Sequence, residues 1–315
     1  MEQAEKAKIV VIGSSNTDMV IKSDRIPVPG ETVLGGKFAM MPGGKGANQA
    51  VAAARLGGDV LFVARVGDDT LGRQAVENYR NEGIDVSHIT VDPNEATGVA
   101  LILVDEKGEN LISVASGANY MLSAADIDRA ANRIRESDIV VVQLETPLDA
   151  IARAAEIAEA AGVPIILDPA PAPAEPLPPE ILNRITYIKP NEHEAASITG
   201  IPVTDFASAE RAAAQLLTGG TKGVIVTLGT AGAILAERGK DPVTIPAFPV
   251  DAVDSTAAGD CFSGALAVRL GEGALISEAV QFASAASALS VMRLGAQPSI
   301  PTRSETLEFL EKRHA

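Results

Sequence analysis

Short apolar runs recur along the chain between alanine-rich segments of helical period. The runs KIVVIG, DVLFVARVG, DIVVVQLE, VPIILDPA, RITYIKPNE and KGVIVTLG are rich in valine and isoleucine. Continuous runs of this kind are typical of strands buried on both faces, as in parallel sheets covered by helices. One intervening segment has a helix pattern, with Pro147 near its start and Gly162 just past its end. The alternation predicts an α/β fold built from strand–helix–strand units.

Two stretches interrupt this alternation and predict a small accessory sheet. Residues from about 18 to 42 contain several prolines and glycines and short alternating runs such as ETVLGGKFAMM. Residues 97–116 have the pattern of two strands joined by a turn at Glu106, Lys107 and Gly108. Because both stretches are insertions in the larger unit, we expect them to lie over its active edge as a lid.

The proline-rich stretch from Pro169 to Glu180 has the composition of a domain linker. The strand and helix pattern resumes unchanged after it, which favours an ordered loop instead. A chain of 315 residues is long enough for one large domain with insertions. We therefore expect a single α/β domain over residues 1–315.

The charge balance excludes some classes of partner. The 26 basic and 41 acidic side chains give a net charge of -15, which disfavours nucleic acid and membrane surfaces. A single cysteine, Cys261, and an N-terminus without the pattern of a signal peptide favour a cytoplasmic location. Since the same charge would repel a nucleotide, any phosphate site must be locally positive.

Polar residues follow the ends of the apolar runs. Ligands of open parallel sheets bind at the carboxyl ends of the strands, so these residues are expected to converge there. Each one alone is equally well explained as a helix cap. The residues are Asn16, Asp18, Glu145, Asp168, Asn191, Glu194, Thr227 and Gly229.

The segment DSTAAGDCFSGALAVRL, residues 254–270, carries the strongest chemical signal. Ala257, Ala258 and Gly259 precede an alanine-rich helix, whose first backbone N–H groups are unpaired and form an anion cradle. Asp260 lies beside this cradle, where the helix end favours its ionised form. The arrangement suits a phosphoryl transfer in which an alcohol attacks a phosphate held by the N–H groups. A capping carboxylate behind a tight helix–sheet contact is the alternative.

A glycine-rich turn opens another helix in PGGKGANQAVAAARLGG, residues 42–58. It is not a Walker A loop, because Lys45 is followed by Gly46 and the required spacing is absent. The glycines allow the backbone to approach a compact ligand, and Lys45 and Asn48 offer hydrogen bonds to hydroxyl groups. A close helix-packing turn is the alternative.

The segment KPNEHEA places Asn191 and Glu194 one helical turn apart. An amide and a carboxylate at this spacing can hold Mg²⁺ through water, as a magnesium nucleotide requires. A capped surface helix is the alternative.

Together GGKGANQA, NEHE and DSTAAGD resemble the ribokinase members of the phosphofructokinase-B-type carbohydrate kinase family, in motif order and separation along essentially the whole chain. The resemblance implies a ribokinase-like three-layer αβα fold with a mostly parallel central sheet and a small β-sheet lid. It implies phosphorylation of D-ribose at the 5-hydroxyl by ATP, with Mg²⁺ and K⁺, and a homodimer formed through the lid. The alternatives are a kinase of another pentose, deoxyribose or a nucleoside, and a non-catalytic sugar-binding relative of the same fold.

The resemblance also implies roles for individual residues. Asp260 would be the base, and the backbone of Ala257, Ala258 and Gly259 would be the anion hole. The implied sugar ligands are Asn16, Asp18, Gly44, Lys45, Asn48, Glu145 and Asp260. The implied nucleotide ligands are Asn191, Thr227, Leu228, Gly229, Thr230, Ala231, Gly232, Gly259 and Ser284. The implied potassium ligands, largely backbone carbonyls, are Asp254, Thr256, Ser290, Arg293, Gly295 and Ser299. Glu194 would act on magnesium through water.

Overall fold

The structure is a computed structural model that describes residues 5–314, which form thirteen strands, eleven α-helices and three short 3₁₀ helices. The strands are β1 (Lys8–Ile12), β2 (Asn16–Lys22), β3 (Lys37–Gly43), β4 (Asp59–Gly67), β5 (Ile89–Asp92), β6 (Gly98–Val104), β7 (Asn110–Ala115), β8 (Ile139–Gln143), β9 (Ile165–Asp168), β10 (Tyr187–Ile188), β11 (Gly223–Thr227), β12 (Gly232–Glu237) and β13 (Val243–Pro246). The helices are α1 (Lys45–Arg55), α2 (Thr70–Asn81), α3 (Ala124–Arg129), α4 (Ala131–Arg135), α5 (Leu148–Ala161), α6 (Pro179–Leu182), α7 (Glu192–Thr199), α8 (Phe206–Thr218), α9 (Ala258–Gly271), α10 (Ile276–Ser290) and α11 (Arg303–His314).

Nine strands form one sheet in the order β13-β12-β11-β10-β9-β8-β1-β4-β5. The pairs from β11 to β5 are parallel, whereas β12 is antiparallel to both of its neighbours. The chain passes from β1 to β4 on one side and continues from β8 on the other, so the order reverses between β1 and β8. A reversal of this kind opens a crevice beyond the carboxyl ends of the two strands.

The hydrophobic core lies on both faces of the nine-stranded sheet. On β1, Ile9 and Val11 pack into one cluster of buried side chains, whereas Val10 and Ile12 pack into a second. Helices α1, α2, α9 and α10 contribute to the first cluster, and α3, α4, α5 and α8 contribute to the second. Because successive side chains point to opposite faces and both faces are covered, the strands need valine and isoleucine throughout. The predicted three-layer αβα fold is confirmed.

Helices α1 and α9 pack closely through small residues. A Cβ atom added at Gly264 of α9 would lie 2.6 Å from the Ala52 Cβ and 2.7 Å from the Gln49 carbonyl oxygen, both on α1. These distances leave no room for a side chain, because interiors are packed to near-crystalline density. The contact therefore fixes the two helix N-termini relative to each other.

Four further strands form a small sheet in the order β3-β2-β6-β7. Residues 16–43 supply β2 and β3, and residues 98–115 supply β6 and β7. The two segments join where β2 pairs in parallel with β6. At the buried end of this sheet Asn16 pairs with Gly43 on one side and Gly98 on the other, while β7 is exposed along its length.

The proline-rich stretch after β9 leads into the short helix α6. None of the helices formed by residues 5–314 has both the length and the apolar character needed to span a bilayer.

Candidate active site

A cavity of about 820 Å³ opens beyond the carboxyl ends of β9, β10 and β11, beside the N-terminus of α9. It contains Asp260 and most of the residues predicted to bind nucleotide. The predicted residues that line it are Lys45, Asn191, Glu194, Thr227, Gly229, Thr230, Gly232, Ala257, Ala258, Gly259, Asp260 and Ser284. Residues on several different elements and loops therefore meet beyond the carboxyl ends of the parallel strands, the edge at which open α/β sheets bind ligands, on the β8 side of the order reversal.

Asp260 lies in the first turn of α9 and is almost fully buried, with 6% of its surface exposed. The Asn48 Nδ2 donates to its Oδ2 at 2.9 Å, and the Gln49 Nε2 donates to its Oδ1 at 3.2 Å. Burial raises the pKa of the Asp260 carboxyl to about 6; the Lys45 ammonium opposes this rise and the Asp168 carboxylate adds to it. A carboxyl with a pKa near 6 is ionised at neutral pH and is a better base than an exposed aspartate.

The N-terminus of α9 is held by an unusual backbone conformation. Ala257, the residue before the helix, has φ 60° and ψ 13°, and it is the one non-glycine residue with positive φ within the described part of the chain. A non-glycine residue in this region costs on the order of 1 kcal/mol, and such strain tends to collect at functional sites. Among the described residues, the N–H groups of Ala257, Gly259 and Asp260 make no hydrogen bond.

Ala258 departs from the predicted anion cradle. Its N–H group donates to the Ser255 carbonyl oxygen at 3.2 Å, so it is not a free donor in this structure. The left-handed turn at Ala257 closes the chain back onto Ser255, and the role of residues 257–259 as an anion hole stays a prediction. The free donors are those of Ala257, Gly259 and Asp260.

A buried ion pair between Lys189 and Asp168 is linked to Asp260 through Gln49, which donates to both carboxylates. The Lys189 Nζ lies 3.1 Å from the Asp168 Oδ2, and both side chains are at most 4% exposed. The same Asp168 oxygen accepts hydrogen bonds from the Gln49 Nε2 and the Ser263 Oγ, each at 2.9 Å. Lys189 also donates to the Gly259 carbonyl oxygen at 3.3 Å and faces the cavity. The pair thus joins α1, α9 and two strand ends.

Sequence reasoning missed most of this network. Asp168 was recognised at a strand end but given no role, and Lys189 stands two residues before the predicted Asn191. The lysine could have been found by asking which cation neutralises a buried strand-end carboxylate. Gln49 follows Asn48 directly, and nothing in the sequence distinguishes it.

The N-terminus of α1 supplies a second cation. The preceding residue, Gly44, has φ 90°, and an added Cβ there would lie 2.6 Å from the Asn16 backbone nitrogen, so this turn needs glycine. The Lys45 N–H donates to the Glu145 Oε2 at 3.1 Å, and the Ser14 hydroxyl donates to the same oxygen. Burial disfavours the charged form of Lys45, but the carboxylates of Asp260 and Glu145 outweigh this and raise its pKa. A permanently charged ammonium therefore lies between the strand-end residues and Asp260.

Two of the predicted sugar ligands lie on β2. Asn16 and Asp18 are two residues apart on one face of the strand, and both are buried. Burial raises the pKa of the Asp18 carboxyl to about 6, with repulsion from Glu145 and Asp260 acting in the same direction. Any side chain at Gly43 on the paired strand would overlap with the Asp18 carboxylate. Asp18 therefore lies close enough to Glu145, Lys45 and Asp260 to interact with each of them electrostatically.

Asn191 and Glu194 form a reciprocal cap at the start of α7. The Glu194 N–H donates to the Asn191 Oδ1, and the Asn191 N–H donates to the Glu194 Oε2, each at 2.8 Å. The Asn191 side-chain oxygen is therefore already engaged in the cap. Glu194 is buried and lines the cavity, which raises its pKa and distinguishes it from a residue of a surface helix.

The predicted nucleotide loop, residues 227–232, divides into two groups. Thr227, Gly229, Thr230 and Gly232 line the cavity. Leu228 does not, because its side chain belongs to the hydrophobic core. Ala231 is exposed outside the cavity lining, and the nucleotide contacts of Leu228 and Ala231 stay predictions.

The opposite wall of this cavity comes from residues that the sequence did not single out. Ala247, Phe248, Pro249, Val250 and Ala252 line it after β13. Ser287, Ala288 and Val291 extend the predicted contact at Ser284 along and just past α10. This wall is largely apolar, as expected for a pocket that holds a flat base.

The predicted potassium ligands gather in a loop behind the anion cradle. The Asp254 Oδ2 accepts from the Gly295 N–H at 2.8 Å, and the Asp254 Oδ1 accepts from the Thr256 N–H at 2.9 Å. Partial burial disfavours the ionised form of Asp254. The two backbone N–H groups and the Thr256 hydroxyl, which all donate to the carboxylate, outweigh burial and hold the pKa of Asp254 below its ordinary value. The Arg293 guanidinium turns away to Glu305, and the Ser299 hydroxyl donates to Ala296. Ser290 contributes its carbonyl to the turn before Arg293. Asp254 is thus held as an ionised carboxylate, the type of oxygen ligand that hard cations prefer.

Comparison with known proteins gives a consistent result. The model of the pfkB family carbohydrate kinases matches residues 6–303. A ribokinase from Haemophilus influenzae is 45% identical over 303 residues, covering 96% of this chain and 98% of that protein. A deoxyribokinase from Salmonella typhimurium is 37% identical over 302 residues, covering 96% and 98%. The structure of Arabidopsis thaliana ribokinase complexed with ribose and ATP superposes with a TM-score of 0.91 at 35% identity, covering 98% of this chain and 99% of that one.

Proposed function

The chain belongs to the pfkB family of carbohydrate kinases, and from that premise we propose that it transfers the terminal phosphoryl group of ATP to the 5-hydroxyl of D-ribose, giving ribose 5-phosphate and ADP. The observation that carries the proposal is the position of Asp260. Its buried carboxylate lies between the predicted sugar ligands and the free N–H groups at the start of α9. A hydroxyl bound on one side would thus face a phosphate bound on the other.

The geometry supports a simple division of roles. Asp260 accepts the proton of the attacking hydroxyl, while the hydrogen bonds from Asn48 and Gln49 hold the carboxylate in place. The N–H groups of Ala257 and Gly259 stabilise the charge that develops on the transferred phosphoryl group. Lys45, which lines the same cavity, adds a fixed positive charge. Most of the rate then comes from orientation and electrostatics that exist before the substrates bind.

We also propose that Mg²⁺ arrives with the nucleotide and is held through water by Glu194. Within residues 5–314 no three acidic, histidine or cysteine side chains lie close enough to hold a metal ion by themselves, and a magnesium nucleotide needs few protein ligands. A bound K⁺ would neutralise the Asp254 loop. Asp254 and Thr256, two residues before Ala258, would then keep the N–H groups of α9 aimed at the phosphate.

The substrate alternatives remain a different pentose, deoxyribose or a nucleoside. The 37% identity to a deoxyribokinase supports deoxyribose as the second candidate. A non-catalytic sugar-binding role is disfavoured because Asp260, Lys45 and Glu194 all line the cavity. The need for ATP supports a cytoplasmic location.

An assay of ADP formation across pentoses, deoxyribose, nucleosides and hexoses, with and without K⁺, tests the proposed function. We expect D-ribose to give the highest kcat/KM, because a site built to bind a hydroxyl rejects an analogue that lacks it. We expect K⁺ to raise kcat, and Na⁺ at the same ionic strength serves as the control. A clearly higher kcat/KM with another sugar would contradict the choice of ribose.

We propose that the four-stranded sheet is the lid over the sugar, and that two lids pair to form a homodimer. The sheet exposes many large apolar side chains for a structure of its size: Ile21, Phe38, Met40, Leu101, Leu111, Ile112 and Val114 are all at least 40% exposed. The strand register puts Ile21, Phe38, Met40, Leu101 and Leu111 on one face and Ile112 and Val114 on the other. The five apolar side chains on the first face are typical of an interaction surface. Its edge strand β7 is exposed and adds unpaired backbone groups.

Replacing Leu101 and Ile112 together with aspartate should convert the homodimer to a monomer. The two residues lie on opposite faces of the sheet, so the double variant places a charge on either possible packing face. Sedimentation equilibrium should give twice the 32.4 kDa chain mass for the wild type and the single mass for the variant. Leu275→Asp, at a leucine 68% exposed outside the sheet, is the control and should stay dimeric. A monomeric wild type would contradict the proposal.

A further inference from the structure

Asn119 is a buried polar residue outside the predicted sugar ligands. It lies in the 3₁₀ helix Gly117–Met121, directly after lid strand β7, and is 2% exposed. Its side chain contacts Ser15 and Asn16, where the chain leaves the main sheet and enters β2. The segment after lid strand β7 is therefore hydrogen-bonded to the start of lid strand β2.

The orientation of the Asn119 amide is fixed by the backbone. The Ser15 N–H donates to its Oδ1 at 2.8 Å, and its Nδ2 donates to the Ser15 carbonyl oxygen at 3.2 Å. A backbone N–H can only donate and a backbone carbonyl can only accept, so the reverse orientation would oppose two like groups. The ambiguity between oxygen and nitrogen that affects most amides is thereby removed.

The orientation of Asn16 follows from that of Asn119. The Asn119 Nδ2 also donates to the Asn16 Oδ1 at 2.7 Å. The Asn16 oxygen is therefore used, and no hydrogen bond among residues 5–314 uses its Nδ2. Asn16 must present N–H donors on the face of β2 that it shares with the acceptor Asp18. A hydroxyl placed between them would accept from Asn16 and donate to Asp18.

Gly98 provides independent support for this arrangement. It begins lid strand β6 and pairs directly with Asn16. A Cβ atom added there would overlap with both the Asn16 Oδ1 and the Asn119 Nδ2, the two atoms of the hydrogen bond. Since the backbone of Gly98 does not have positive φ, conformation alone does not demand glycine. Glycine is needed here because the two hydrogen-bonded side chains occupy the space where a Cβ atom would lie.

We propose that Asn119 is a positioning residue that sets the donor polarity of Asn16, and so makes the site select a sugar hydroxyl that can accept from Asn16 and donate to Asp18. The inference deepens the proposed function and rests on it. It also makes the sugar site dependent on the lid, because Asn119 and Gly98 both stand where lid strands meet the main sheet.

The variant Asn119→Asp tests this polarity with little change in shape. It places an oxygen against the Asn16 Oδ1, so the Asn16 amide turns and offers an oxygen to the sugar. Asn16 and Asp18 then compete for the single proton of one hydroxyl. We expect the KM for ribose to rise about 10- to 100-fold, as for an unsatisfied buried polar group, while kcat and the KM for ATP change less than about threefold.

The effect must pass through Asn16. In an Asn16→Ala background, Asn119→Asp should change the KM for ribose less than about threefold, because the side chain that it reorients is gone. An equal effect in both backgrounds would overturn the proposal. Asn132→Asp makes the same chemical change on the exposed face of α4 and should leave all kinetic constants unchanged.

Gly98→Ala gives a neutral second variant, in case a buried aspartate at position 119 prevents folding. Its methyl group displaces the same hydrogen bond without adding charge, so the KM for ribose should again rise while the KM for ATP does not. Wild-type KM values for ribose in both variants would overturn the proposal, and so would equal losses for ribose and ATP. A wild type that does not phosphorylate ribose would instead contradict the proposed function. The ratios of variant to wild-type KM would then be measured with the sugar that the substrate panel identifies.

Discussion

Replacing Asp260 with asparagine should lower kcat for sugar phosphorylation by about 10²- to 10⁴-fold, the range expected for loss of a positioned general base. The sugar should still bind, because Asn16, Asp18, Lys45 and Glu145 remain in place. Asparagine has the shape of aspartate but cannot accept the hydroxyl proton. Single-turnover kinetics give the loss in the chemical step, and calorimetric titration gives the sugar Kd.

The variant should not unfold more easily than the wild type at pH 7. Burial raises the pKa of Asp260 to about 6, so the folded state binds the proton more tightly than the unfolded state. Such a group contributes stability below about pH 4, and that contribution is lost as the pH rises through about 6. At pH 7 the ionised carboxylate therefore opposes folding, and its removal separates a catalytic defect from a folding defect.

The same pKa predicts the acid limb of the wild-type profile. Burial raises the pKa of both Asp260 and Asp18 to about 6, and the proposed mechanism needs both carboxyls ionised. The kcat/KM for ribose should fall at least about tenfold per pH unit below this range.

The matched control for Asp260→Asn is Asp241→Asn, an exposed change just before β13, which should keep the wild-type kcat. Near-wild-type turnover by Asp260→Asn would disprove the role of the base.

Replacing Lys189 with methionine should destabilise the fold by about 3–5 kcal/mol, the cost typical of leaving one partner of a buried ion pair uncompensated. The Asp168 carboxylate would keep only the Gln49 and Ser263 donors in a site 2% exposed. Urea denaturation followed by circular dichroism measures the loss. The Lys189 Nζ also donates a hydrogen bond to the carbonyl oxygen of Gly259, a predicted nucleotide ligand, so the KM for ATP should rise as well.

The double variant Lys189→Met/Asp168→Asn tests the cause. It removes both charges, so most of the lost stability should return. Lys240→Met breaks the exposed pair with Glu237 and should cost no more than about 1 kcal/mol, as exposed pairs usually do. A stable Lys189→Met protein would show that the pair is not needed for the fold. A double variant as unstable as the single one would show that the charge of Asp168 is not the cause.

The sequence predicted the parts of the protein that depend on local pattern. The strands were recognisable because burial on both faces demands unbroken valine and isoleucine, as at Ile9 to Ile12. The start of α9 was recognisable because a run of small residues ahead of a helix is typical of a backbone that binds an anion. In each case the signal and its structural cause lie within one short segment.

The remaining features depend on contacts between distant segments. Lys189 and Asp168 meet because β9 and β10 are neighbours in the sheet, and strand order is not written in either segment. Leu228 stands inside the segment predicted to bind nucleotide, yet its side chain packs in the core. Asn119 is 103 residues from its partner Asn16. A motif contains residues that are close in sequence, so it does not reveal contacts between distant segments.

The close contact between α1 and α9 has a consequence for how this fold changes in evolution. Gly264 and Ala52 leave no space for a larger residue, so the helix that carries Asp260 and the helix that carries Lys45 move as one body. A larger side chain at Gly264 would therefore displace both helices together. The four-stranded sheet is constrained in this way at Gly43 and Gly98, but its exposed strand β7 is not. New sugar preferences can therefore arise by drift in the lid strands while the phosphoryl-transfer machinery stays the same.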